Sequence, residues 1–143
     1  MREILYKAKR IDTGEWVYGS YVHTFCEDKN CPIVGVQVEK HWIVEENGNM
    51  VWIDEDTVCQ YTGRVDKHGK KIWENDILVA HLDEKFKEDE TYEQVIWHES
   101  GFCTMEKNST DFPPLDDFDT RYFAVCGNVF DNAELLEKSM KYR

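Results

Sequence analysis

Several groups of side chains in this sequence are of types that can do chemistry. His23, Cys26 and Cys31 lie close together, and Cys59 could supply a fourth group. Zinc takes four nitrogen or sulfur ligands in a tetrahedron, drawn from tightly spaced pairs. Cys26 and Cys31 make one C-x4-C pair. A second tight pair is missing, so loop and buried thiols are expected here rather than a metal centre, and no cofactor is assigned. Asp116, Asp117 and Asp119 offer hard oxygen ligands, but without the glycine and closing glutamate of an EF-hand loop. A solvated acidic loop is the expectation. Cys59 or Cys103 could act as a nucleophile beside one of the five histidines. That chemistry needs a base within hydrogen-bond reach and a lowered thiol pKa, and no local pattern supplies either. A P-loop, a dinucleotide-binding glycine pattern and H-E-x-x-H are all lacking. No catalytic residue is assigned, and the chain is expected not to be an enzyme.

A basic cluster stands at Arg64, Lys67, His68, Lys70 and Lys71, flanked by Tyr61 and Trp73. Cations interleaved with aromatics can hold single-stranded nucleic acid by charge and stacking. Lys67, Lys70, Lys71 and Trp73 are therefore the candidate nucleic-acid contacts. Against them stands a net charge of −12, concentrated between Asp83 and Asp119 with 12 acidic and 3 basic residues. Such a surface repels phosphate over a Debye length of about 8–10 Å. It suits a basic partner, imitation of DNA, or solubility alone. Glu88, Asp89, Glu90, Asp116 and Asp117 are the candidate contacts for a protein partner.

These groups must be placed by elements. A chain of 143 residues with 41% hydrophobic and 13% aromatic residues can bury a core as one domain. Its aromatic richness favours half-buried pleated surfaces. Glycine turns are followed by Trp-bearing apolar segments three times: Gly14 before Trp16, Gly48 before Trp52, Gly69 before Trp73. Glycine supplies the positive φ of a hairpin turn, and the next strand sorts alternate residues to opposite faces. Further strands are expected at Val34–Val38, Trp42–Val44, Thr57–Tyr61, Ile77–His81, Glu93–His98, Gly101–Met105 and Tyr122–Val125. Short strands between polar turns point to a sandwich or small barrel. One helix is expected over Asp131–Met140, with Asp131 as N-cap, Glu134 completing a capping box and Leu136 and Met140 on one face. Asp83–Glu90 and Lys107–Thr120, the latter holding Pro113–Pro114, are expected as irregular loops. Five irregularly spaced cysteines argue for free thiols in a reducing compartment. No apolar run reaches the roughly 20 residues that span a bilayer, and MREILYKAKR lacks a signal peptide's apolar stretch. A soluble, intracellular protein with no membrane partner is the expectation.

Three segments resemble one known family. Gln60–Leu78 reads QYTG-x-x-D-K-x-G-K-K-I-x-E-x-D-I-L, Ala124–Leu136 reads AVCGNVFDNAELL, and Arg2–Gly19 carries a first hairpin. Together they are similar to YopX-type proteins of phages and prophages. Cys126 stands where isoleucine is usual, and Trp73 and Phe130 where tyrosine is common; all three keep the apolar or aromatic character. The resemblance implies a mainly β, antiparallel fold: an SH3-like small barrel or roll with hairpin extensions and one short C-terminal helix. It would be one domain, with hairpins over 1–56 and the barrel portion over 57–143. It further implies a phage or prophage accessory protein, in the cytoplasm of a bacterial host, that self-associates, and it brings no catalytic residues; binding to a host or phage protein is the leading expectation. Ile72-Trp73-Glu74-Asn75-Asp76-Ile77 then has a structural reading, a turn at Glu74–Asp76 with Ile72 and Ile77 facing the core.

Overall fold

The computed structural model describes residues 3–81 and 90–138. The fold is mainly β with antiparallel pairing and two short helices. The chain divides into two compact units, Met1–Gln60 and Tyr61–Arg143.

The first unit is a sheet of β1 (Tyr6–Lys9), β2 (Trp16–Glu27), β3 (Gln37–Val44) and β4 (Met50–Trp52), in the order β4-β3-β2-β1. A single 3-10 turn at Glu55–Thr57 leads to β5 (Cys59–Val65), whose first residues pair with β1. Two of the expected glycine turns build this sheet. Gly14 (φ 75°) closes the β1–β2 hairpin and Gly48 (φ 90°) the β3–β4 hairpin, a conformation that costs glycine little. Ala8, Val17, Ile43, Val51 and Ile53 pack together on one face, where alternation along each strand collects them. Thr57 ties the 3-10 turn to β1: its Oγ1 accepts from the Lys9 backbone N–H at 2.8 Å and donates to the Asp54 carbonyl at 2.7 Å.

The second unit holds the rest of β5, β6 (Lys71–Trp73), β7 (Asp76–His81), β8 (Glu90–His98), β9 (Gly101–Met105), α1 (Asp117–Tyr122), β10 (Ala124–Asn128) and α2 (Glu134–Lys138). β5 and β6 form the expected hairpin around Gly69 (φ 81°). A four-stranded sheet follows in the order β10-β7-β8-β9. Ile72, Leu78, Ala80, Val95, Leu115 and Phe123 form its core. Fully burying such a large aliphatic or aromatic side chain contributes about 1.5–3 kcal/mol. Ile72 and Ile77 are both fully buried, and Asn75 (φ 69°) takes the left-handed position in the turn between them. The Asp76 carboxylate closes that turn by accepting from the Trp73 N–H at 2.8 Å.

The expected barrel is corrected in one respect: among the described residues no closed barrel forms. Closure needs the two edge strands to pair. β9 instead meets the Pro113–Leu115 segment: the Thr104 N–H donates to the Pro113 carbonyl at 2.9 Å, and the Leu115 N–H to the Phe102 carbonyl at 3.0 Å. A proline has no N–H to extend a ladder, which suits it to an edge. The expected loop over Lys107–Thr120 is corrected too. α1 begins at Asp117, three positions after Pro114, whereas a proline restricts the residue before it and not those that follow. The C-terminal helix is present as α2, but Met140 and Lys141 lie outside the described residues, as does the stretch 82–89.

Candidate functional site on the two faces of the N-terminal sheet

β2 is 12 residues long and pairs with β3 from Ser20↔Val44 to Glu27↔Gln37. It runs well past the core of its own unit, so its outer half presents two side-chain faces that the core does not use. Alternation decides what each face carries.

The first face continues the core. Beyond Ile43 and Tyr21 it bears His23 and Phe25 on β2, and His41 and Glu39 on β3. His23 and His41 are directly opposite in the register. Their rings stack 4.2 Å apart at 15°, and Phe25 lies 4.4 Å beyond His23. The Tyr21 hydroxyl is hydrogen-bonded to His41 Nδ1. Glu39 Oε2 is 3.4 Å from His23 Nε2, and Glu55 Oε2 is 2.6 Å from His41 Nε2. His41 Nε2 is buried and makes no aligned hydrogen bond, so the Glu55 contact is close without being one. Burial pushes the Tyr21 phenol above its ordinary pKa, and the negative charges of Glu55 and Glu39 push it further.

The opposite face is aromatic and carries lysines. Trp42 and Trp52 are direct cross-strand neighbours. Trp42 Nε1 donates to Thr24 Oγ1 at 2.9 Å, which fixes its ring. The Lys40 ammonium lies 5.3 Å from the Trp52 ring centre and 6.0 Å from that of Trp42. At the β1 end, the Lys7 ammonium lies 4.4 Å from the Trp16 ring centre. Trp52 is 48% exposed, Met50 52% and Tyr18 49%.

The structure does not bring His23, Cys26, Cys31 and Cys59 together. His23 and Cys26 are an odd number of residues apart on one strand, so they face opposite sides of the sheet. Cys31 lies in the following loop, half-buried, and Cys59 is buried with its thiol donating to the Thr57 carbonyl at 3.3 Å. Among the described residues the group with metal-ligating geometry is His23, Glu39 and His41, whose ligand atoms all lie within 4.8 Å of one another. Sequence reasoning missed Glu39 and His41. The signal was there as Glu39-Lys40-His41, an alternation that places two ligand types on one strand face. Reading it requires the β2–β3 register.

The basic hairpin tip is reproduced, but not as an aromatic platform. Lys67 and Lys70 are exposed, whereas Trp73 is 7% exposed and packs on Tyr61 at 5.6 Å. The Lys71 ammonium covers the other aromatic, 5.0 Å from the Tyr61 ring centre. Trp73 thus offers no open ring to a base. Of the acidic candidates, Glu88 and Asp89 lie outside the described residues. The Glu90 carboxylate accepts from the Tyr92 hydroxyl at the start of β8. Asp116 is exposed, its carbonyl accepting from the Thr120 N–H at 3.2 Å, and Asp117 opens α1.

A family model described as YopX protein matches residues 5–137. No curated protein is matched. Among solved structures, the chain is similar to the crystal structure of protein EF1440 from Enterococcus faecalis. The TM-score is 0.56 at 17% identity, over 95% of this chain and 99% of that one. At that identity the likeness is one of fold.

Proposed function

The chain belongs to the YopX protein family, and from that membership we propose that it is a non-catalytic accessory protein of a phage or prophage. It works by docking proteins, a second copy of itself foremost, on the aromatic face of its N-terminal sheet. The observation that carries this reading is the exposure of Trp52, Met50 and Tyr18 beside the fixed ring of Trp42. Tryptophan, tyrosine and methionine are enriched at protein interfaces, and tryptophan and tyrosine are frequent hot spots there. An aromatic side chain brings large contact area at low entropic cost, and a neighbouring ring already fixed lowers that cost further. Lys40 gives the patch a cation to set against an acidic partner surface. On another copy, the acidic stretch that holds Glu88, Asp89, Glu90, Asp116 and Asp117 would supply the complementary charge; a host protein would need an acidic surface of its own.

Trp52→Lys tests this reading. Loss of a central interface tryptophan typically costs about 2 kcal/mol or more, roughly a thirtyfold weakening. Light scattering should show the wild type larger than one chain and the variant shifted towards one chain at the same concentration. Unchanged molar mass together with unchanged capture of partners from infected cells would sink the proposal.

A second reading rests on the same lysine–tryptophan contacts. Single-stranded nucleic acid stacks on exposed rings while cations hold its phosphates. Retention of single-stranded DNA that weakens with added salt, and that Trp52→Lys removes despite its extra positive charge, would favour this reading over protein docking.

A further inference from the structure

We propose that His23, Glu39 and His41 form a binding site for a divalent transition-metal ion of the zinc class. The site is independent of the aromatic face, which lies on the other side of the same strands. Two imidazoles and one carboxylate are the ligand types that zinc, cobalt and nickel accept, whereas calcium and magnesium call for oxygen alone.

The fold presents these groups by register. His23 faces His41 across the strand pair, and Glu39 precedes His41 by two positions on the same face. Ligand atoms about 2.0–2.2 Å from a tetrahedral ion stand roughly 3.4 Å from one another. His23 Nε2 and Glu39 Oε2 are already 3.4 Å apart, and all three ligand atoms lie within 4.8 Å. His23 and Glu39 are exposed, so rotation of their side chains can close the remaining gap. In that rotation the His23 ring leaves its stack on His41 and shares the ion instead.

His41 is the fixed member. Its side chain is only 13% exposed, and the Tyr21 hydroxyl at Nδ1 holds the ring. A metal-bound histidine is usually oriented by such a partner on its other nitrogen. That leaves Nε2 for the ion, and Nε2 is the buried nitrogen without an aligned hydrogen bond. Glu55, with Oε2 at 2.6 Å from Nε2 and its side chain 59% exposed, is within reach as a fourth ligand. If it swings away, water takes the position. The two imidazole rings already lie with their centres 4.2 Å apart. A dication shared between them and flanked by Glu39 and Glu55 satisfies all four groups.

The test uses the full chain. Cobalt(II) is titrated while visible absorption is followed, and zinc binding is measured by calorimetry. One ion per chain is expected, with the intense visible bands of tetrahedral cobalt and no thiolate-to-metal charge transfer. His23→Gln and His41→Gln each weaken binding at least tenfold. Tyr21→Phe, which alters only the orienting group, weakens it by about 10–100-fold. Cys26→Ser with Cys31→Ser leaves it unchanged. Circular dichroism accompanies each variant. Should His41→Gln unfold, the exposed His23 decides. Failure to bind either ion saturably, a thiolate band, or wild-type affinity in His23→Gln would overturn the proposal.

Discussion

Asp66→Asn lowers the stability of the C-terminal unit by about 2–3 kcal/mol at neutral pH, and the loss shrinks as the solution is acidified. Asp66 is 4% exposed at the root of the β5–β6 hairpin. Its Oδ1 accepts from the His68 N–H at 2.8 Å and the Lys70 N–H at 2.9 Å, and its Oδ2 accepts from the Val125 N–H at 2.9 Å. One carboxylate therefore shapes the turn and fastens it to β10. An asparagine oxygen can keep the two bonds inside the turn, but its NH2 then faces the Val125 N–H, donor against donor. Hydrogen bonds to a charged acceptor contribute about 1.5–3 kcal/mol each, and a buried donor left unmatched costs a similar amount. Asp66→Ala removes all three bonds and should cost on the order of 4 kcal/mol; the two turn amides recover part of theirs from water.

The pH dependence separates this account from a generic loss of packing. Burial alone would raise the Asp66 pKa, but the Val125, Lys70 and His68 amides, with the charge of His68, hold it below the ordinary carboxylate value. A depressed folded pKa means that the unfolded chain binds a proton first. The stabilisation is present above the unfolded value of about 3.9 and is lost as pH falls through the lower folded value. Urea unfolding of wild type and Asp66→Asn should thus differ most near neutrality and converge below about pH 4. A gap that stays constant with pH would mean that the carboxylate charge is not what holds the hairpin. Protection of the Val125 amide against hydrogen exchange should fall in the same variant.

The second large effect is expected at Gly19→Ala. A Cβ at this position would stand 2.1 Å from the Val44 carbonyl oxygen and 2.8 Å from its carbon. Both are backbone atoms of the paired strand, so no side-chain rotation relieves the clash. β2 and β3 must separate where the Ser20↔Val44 pairing begins, beside the buried Ile43. Overpacking of this kind typically costs about 1–3 kcal/mol, and a rigid backbone neighbour places Gly19→Ala at the upper end. The expected result is a loss of about 3 kcal/mol and faster exchange of amides on both strands. Gly14→Ala is the control: open space surrounds that position and only its left-handed φ is strained, which costs about 1 kcal/mol. A Gly19→Ala variant as stable as the wild type would refute the close-approach account.

What was legible in the chain was mostly local. Gly14, Gly48 and Gly69 mark three hairpins because positive φ is a property of one residue. Ile72 and Ile77 are readable as core because a turn at Glu74–Asp76 places them on either side of it. The resemblance to YopX-type proteins is carried by the same punctuated segments, Gln60–Leu78 and Ala124–Leu136, and the family model matches residues 5–137. Pro113–Pro114 suggests a loop over all of Lys107–Thr120, yet a proline restricts only the residue before it, and α1 begins three positions after Pro114. Trp73 beside four cations resembled a stacking site. The fold instead buries it, 7% exposed and packed on Tyr61.

The sequence alone therefore determined the family, the antiparallel β character and the positions of the turns, all of which rest on short-range patterns. Tertiary structure decided which strands become neighbours and in what register. That choice left β9 against the proline segment instead of closing a barrel. It gave Gly19 a backbone oxygen where a Cβ would go, and carried Val125 to an aspartate in a distant turn. It also set His41 and Glu39 beside His23, while strand alternation sent Cys26 to the opposite face. Register is the sum of many weak long-range contacts, so no window of sequence reports it, and one residue of slip along a strand would send its histidine, glutamate or cysteine side chains to the other face.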